Sequence, residues 1–253
     1  MTKPSPEVER LAAERLAADE VRLARITGAR RTTLSLGTAW RSFWRHPSPW
    51  MISAFLAGSV AARVAVGGGS WWELVIPAAL LALFPAIEWV IHVGILHWRP
   101  RRVGPVEVDS LLARKHREHH ADPRDIPLVF IPWQALLWLQ PAYVALALLA
   151  VPSTTSALSL LVSVFAIELG YEWTHYLVHS DYRPRSRWYR SVWRNHRLHH
   201  YKNEHYWFTV TTAGTADRLF RTYPDPASVR TSPTVKRLHD LEAASSPDRS
   251  AAS

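Results

Sequence analysis

The chain has 253 residues, 48% of them hydrophobic, and carries 30 Lys and Arg against 21 Asp and Glu, a net charge of +9. It contains no cysteine, which excludes disulfides, thiolate metal sites and cysteine-held iron–sulfur clusters. Any metal must then be held by imidazole, carboxylate or water, a donor set that suits iron, zinc, copper or nickel better than magnesium or calcium.

Residues 5–27 read as a charged, Ala-rich helix in which Val8, Leu11, Leu16, Val21 and Leu23 make only an irregular apolar stripe. Residues 1–49 form a charged N-terminal arm, and the mixed charges over residues 1–25 predict no cleavable signal peptide. Four apolar stretches follow, Trp50–Val66, Trp71–Trp98, Ile126–Val151 and Ser156–His179. A bilayer-crossing helix needs about 20 such residues. Pro132 and Pro141 kink the third, which membranes tolerate, and Trp50, Trp71, Trp72, Trp98 and Trp133 stand near the expected ends as interfacial aromatics do. The tight turns Gly67–Ser70 and Pro152–Thr155 predict two antiparallel helical hairpins. Asp109 is the expected cap of a helix carrying His116 to His120 that ends before Pro123, and Ser186 of one carrying His196 to His200. Residues 224–253, rich in Pro, Ser, Asp and Ala, predict a disordered tail. The predicted architecture is an all-α integral membrane protein, with residues 50–223 as its membrane domain. Four transmembrane helices form two hairpins beneath a cytoplasmic helical cap that carries the histidines.

A net charge of +9 would fit a nucleic-acid partner if the charge were spread over one face. It is not. Every Lys and Arg except Arg63 lies before Trp50, between Trp98 and Asp125, or after His179, and the two tight turns carry none. Positive charge alternating with apolar spans predicts both termini and the middle loop on the cytoplasmic side, with anionic headgroups and no nucleic acid as partner.

The histidines come in two matched pairs of clusters. His92 and His97 form H-x4-H; His116, His119 and His120 form H-x2-H-H; His175 and His179 form H-x3-H; His196, His199 and His200 repeat H-x2-H-H. Imidazoles three or four apart share a helix face, as a common metal requires, and ten such nitrogens suggest two metals. The hairpin topology brings all four clusters to one membrane depth and one side. His92 and His97 are the exception, because residues five apart on a regular helix point about 140° apart. Either His97 lies past the helix end, a π-bulge intervenes, or the two serve different metals. His46 reads as an interfacial residue, His239 as an exposed tail residue, and His205 as a neighbour that supports the ligands from outside. Among the acidic residues, Glu88, Glu168 and Glu172 precede the histidines by one or two turns; Glu172, with Asp217, is a candidate partner for an imidazole N–H.

These four clusters, in this order, resemble the fatty acid hydroxylase and sterol desaturase superfamily of histidine-rich membrane di-iron proteins, over about residues 50–222. The run Tyr171-Glu-Trp-Thr-His175-Tyr-Leu-Val-His179 is similar to the fatty acid 2-hydroxylase branch. So is the stretch from His196-Arg-Leu-His-His200 through Phe208-Thr-Val-Thr211 to Asp217. The resemblance implies that the ten clustered histidines bind two iron ions, with zinc as a substitute in purified protein and O2 as co-substrate. Thr209 and Arg221 depart from it, standing where the family commonly has glycine. No fused cytochrome b5 domain is visible, so a separate electron donor is implied, cytochrome b5-like or a ferredoxin with its reductase.

The expected activity is hydroxylation of a lipid acyl chain, at the 2-position if the branch holds, with desaturation or sterol or carotenoid oxidation as the alternative within the superfamily. A zinc-dependent membrane hydrolase is the rival from another enzyme class, but its usual H-E-x-x-H motif is absent. A membrane metal transporter is the non-enzymatic rival, and it predicts ligands near the bilayer midplane rather than on one side. The high ratio of Arg to Lys and the short loops point to a bacterial cytoplasmic membrane.

Overall fold

The computed structural model describes residues 34–240; the helix expected over residues 5–27 lies outside them. Helix α1 (Leu36–Phe43) begins at Ser35, whose hydroxyl accepts from the Thr38 N–H. Its apolar face is covered rather than free: Phe43 is fully buried, its ring 5.1 Å from that of Trp173 and 5.7 Å from that of Phe130. The end of the expected arm therefore packs as part of the domain, because α1 presents an aromatic face that its neighbours bury.

Helix α2 (Pro47–Val66) starts three residues before the expected span, with Pro47 at the first helical position, where a missing N–H costs nothing. A 3₁₀ turn (Trp71–Leu74) leads into α3 (Val75–Ile91), which runs on as a π-turn over His92–Leu96. A two-stranded antiparallel ribbon follows, β1 (Arg101–Val103) and β2 (Val106–Val108), turning at Gly104 with φ +61°. This ribbon departs from an all-helical expectation; a glycine in the left-handed region lets two short exposed strands pair. Next come α4 (Leu111–Ala121), α5 (Trp133–Ala150), α6 (Thr154–His179), α7 (Arg187–Tyr201) and the short α8 (Thr215–Leu219). The cap of α4 is Ser110, which accepts from the Ala113 N–H at 3.0 Å. Asp109, the expected cap, instead pairs with Arg117 at 2.5 Å. Ser186 caps α7 as expected, accepting from Tyr189 N at 3.1 Å.

Four helical stretches are long and apolar enough to cross a membrane: Pro47–Val66, Trp71–Leu96, Ile126–Ala150 and Thr154–His179. Their outer faces are bare apolar surface, with Leu149 86% and Trp138 81% exposed, as lipid-facing side chains are. Helix α6 is the centre of the bundle. Helices α2, α3 and α5 each pack on it, and α2 also packs on α5, whereas α3 lies along α6 rather than along α2, its partner in the expected first hairpin. At the end of the bundle away from the histidines, Arg63 binds Glu73 at 2.9 Å, and Ser159 donates to the same carboxylate oxygen at 2.6 Å. The single basic residue set apart by the charge pattern is thus neutralised where three spans meet.

The expected tail also differs. From Pro224 to Asp240 the chain lies against the histidine end, with Ser232, Thr234, Val235 and Leu238 buried. Its polar composition suggested disorder, but the Ser232 and Thr234 hydroxyls bond Glu204 in the loop after α7, and the side chains of Val235 and Leu238 are buried. Residues 241–253 lie outside the described residues.

Candidate metal centre

The ten clustered histidines meet at one end of the bundle and sort into two groups of five. His92, His97, His116, His120 and His199 form one, and His119, His175, His179, His196 and His200 the other; within each, one nitrogen per ring lies within 4.8 Å of the others. The π-turn settles the difficulty with H-x4-H. The His97 N–H bonds the His92 carbonyl at 3.0 Å, an i→i+5 closure that returns residues five apart to one side, and the two ring centroids are 5.0 Å apart.

Each H-x2-H-H motif is divided between the groups. Its first and last residues are four apart and share a face, while the middle residue is turned about 100° from the last. On α4 the pair His116 and His120 joins the first group and His119 the second. On α7 the assignment is exchanged: His196 and His200 join the second group and His199 the first.

Backbone carbonyls fix the rings. Nδ1 of His92 donates to the Phe208 carbonyl at 2.5 Å, that of His199 to Tyr206 at 2.8 Å, that of His120 to Val235 at 3.1 Å, and that of His179 to Pro123 at 2.9 Å. With Nδ1 protonated, Nε2 of each neutral ring carries a lone pair. Burial, and then the charge of neighbouring imidazoles, holds His116, His119, His120, His196, His199 and His200 well below the ordinary imidazole pKa, so these rings are neutral. The Nε2 atoms of His120 and His199 therefore face each other at 3.2 Å with a lone pair on each. No hydrogen bond can join them; a cation bound by both can. In the second group the His179 and His196 Nε2 atoms lie 2.9 Å apart, with Nδ1 of His179 held by the Pro123 carbonyl so that its Nε2 presents a lone pair. The donor chemistry fits two metal ions held by imidazole nitrogen.

The three candidate supporting residues fare differently. Glu172 is fully buried, but it accepts from the Ile131 N–H at 2.9 Å, tying α6 to the start of the third span and not to an imidazole. His205 points outward, its side chain 67% exposed, and belongs to neither group. Asp217 acts one step removed. It accepts from the N–H groups of Phe208 (2.8 Å) and Thr209 (3.0 Å) and from the hydroxyls of Thr209 and Thr222, fixing the loop whose Phe208 carbonyl orients His92. Glu88 holds the same loop from the other side, accepting from Val210 N at 2.7 Å, Thr211 N at 2.9 Å and the Thr211 hydroxyl. His239, expected to be exposed, donates through Nε2 to the His97 carbonyl at 3.0 Å. His46 stacks on Phe130 with centroids 4.1 Å apart, away from both groups. The orienting carbonyls and Glu204, described below, were not found by sequence reasoning. The carbonyls carry no side-chain signal at all.

An apolar cavity of about 660 Å³ opens below the first group. Its walls come from α3 (Leu80 to Ile91), α5 (Leu139 to Ala150) and α6 (Leu160 to Tyr171), and His92 lines its histidine end. Helices α3 and α5 do not pack along each other, so the cavity lies between them with α6 as its floor. Ile87 and Leu146 line it while remaining 38% and 66% exposed, which leaves it open sideways.

A helical bundle with membrane-length spans and paired five-histidine groups at one end defines a class of membrane protein whose site is compatible with a metal cofactor. The profile of the fatty acid hydroxylase family matches residues 77–222, and the chain belongs to that family. It is accordingly an oxidoreductase. It is 28% identical over 165 residues to the dihydroceramide fatty acyl 2-hydroxylase of Arabidopsis thaliana, covering 60% of this chain and 68% of the relative. No solved structure gives a match.

Proposed function

We propose that this protein is an O2-dependent di-iron oxygenase that hydroxylates the acyl chain of a membrane lipid close to its headgroup, at the 2-position as the Arabidopsis relative's name describes. The observation that carries the reading is the junction of the first histidine group with the apolar cavity: His92 belongs to both. The five nitrogens of each group would hold one iron. Two irons bound there would supply the reductive activation of O2 that oxidising an unactivated C–H bond demands. The overall reaction takes the C–H bond, O2, two electrons and two protons to an alcohol and water, with the electrons coming from a separate redox protein.

The protein's own part is binding, orientation and exclusion of water. Leu80, Phe84, Leu139, Leu160 and Val164 make walls that bury a hydrocarbon chain, within the size range of ordinary ligand cavities. A chain entering sideways between α3 and α5 would keep its headgroup at the membrane surface, and the carbons nearest that headgroup would lie nearest His92. The carbonyls of Phe208, Tyr206, Val235 and Pro123 hold four imidazoles in the tautomer that leaves Nε2 free. The positive charge on the flanks supports a cytoplasmic location for both termini and the histidine end.

The test is metal analysis of protein purified in detergent from an iron-replete host, followed by turnover of membrane lipid with O2 and a reductant. About two irons per chain, with a hydroxylated acyl product formed only when both O2 and reductant are present, is the expected result. One zinc that iron cannot replace, or product formed without O2, would overturn the reading.

A further inference from the structure

Residues 229–240 lie beyond the stretch that matches the family profile, yet they touch the first histidine group twice. The Val235 carbonyl accepts from Nδ1 of His120, and the His239 ring donates to the main-chain carbonyl of His97. The segment is anchored to the end of α7 and the residues after it. Ser232 N donates to the Lys202 carbonyl at 2.7 Å, and the Asn203 side chain donates to the Arg230 carbonyl at 3.3 Å. Glu204 is the main anchor: 2% exposed, it accepts from the Ser232 hydroxyl at 2.8 Å and from the Thr234 hydroxyl through the same oxygen. Between these contacts Val235 and Leu238 are buried, and the Lys236 ammonium lies 4.0 Å above the Tyr201 ring.

We propose that residues 229–240 are a positioning strap for one metal of the pair. Glu204 clamps the strap through Ser232 and Thr234, and the strap's Val235 carbonyl fixes the His120 tautomer that completes the first group. The inference rests on the two-metal reading above. The selectivity follows from where the carbonyls come from. In the second group the anchored ring is His179, and its acceptor is Pro123, outside the strap. Loosening the strap therefore frees His120 while leaving the His179 anchor in place.

The experiment compares the full chain with a Ser232→Ala/Thr234→Ala double variant, measuring metal per chain and competition against a chelator. The full chain should hold two metals. In the double variant one metal should weaken by about 10- to 100-fold, the usual effect of removing a ligand's outer partner, while the other keeps its affinity. The conservative exchange Ser232→Thr/Thr234→Ser should hold both as the full chain does. Combined with His179→Ala the losses should be additive, because different metals are affected; combined with His97→Ala they should not. Unchanged affinity for both metals in the double variant overturns the strap. So does equal weakening of both, which a general loss of stability would produce. A full chain that holds fewer than two metals overturns the two-metal reading itself.

Discussion

The orientation of His92, His120 and His199 depends on main-chain carbonyls, so the residues that matter most around them act through their backbone or by holding it. Asp217 shows the consequence. It is fully buried and receives two N–H groups and two hydroxyls, and an amide in its place keeps a single acceptor atom. Asp217→Asn should cost about 2–3 kcal/mol of stability by stranding buried donors, and should loosen the metal of the first group. Thermal melting with metal analysis would show both. Arg221 presents the opposite case. With φ at +61° it occupies the left-handed region that favours glycine, the residue that the family resemblance implies there. Arg221→Gly should therefore raise stability by about 0.5–1 kcal/mol despite glycine's greater entropy in the unfolded chain, visible as a higher melting temperature. Thr209, the other departure from glycine, has no positive φ and needs no such relief. His199→Ala removes a first-group nitrogen whose Nε2 lies 3.2 Å from those of both His97 and His120. Turnover should fall by more than about 100-fold, beyond what losing an outer partner costs, while membrane insertion is retained. Full activity in that variant would remove His199 from the site.

Elements carry the histidines to their groups by rules that are local. A π-turn lets H-x4-H serve one group, and the two faces of H-x2-H-H let one short helix serve two. The helices α4 and α7 are short and polar, each tightened at its start by a serine. Ser110→Ala and Ser186→Ala should each cost about 1 kcal/mol, the usual value of such a cap, and a thermal melt would reveal it. Asp109→Ala should act through loss of the Arg117 pair and not through the helix start. The choice between Asp109 and Ser110 was not legible in the sequence: both are good caps, adjacent in the chain, and in the fold Asp109 pairs with Arg117, about two turns further along, while Ser110 caps the helix.

For the whole molecule, the charge pattern and the fold agree on which residues lie at each end of the spans, and the side of the membrane is open to a direct test. The chain has no cysteine, so single cysteines can be introduced without removing any. With the proposed orientation, Ser153→Cys should react with an impermeant thiol reagent from outside intact cells. Arg102→Cys should react only after the membrane is opened, and the reverse pattern would invert the topology.

By itself the sequence determined the four spans, the ten histidines and their arrival at one end, because apolar length and helical spacing are local properties that survive in any packing. The family was legible for the same reason: motif spacing is a property of the chain. Only the tertiary structure decided which nitrogen joins which group, since a ring on either face of α4 or α7 meets whatever packs there. It also decided that the polar segment after Pro224 is held in place. The partners that order it, Glu204, Lys202 and His120, lie between about 30 and 115 residues earlier in the chain and are adjacent to it only once the bundle has formed.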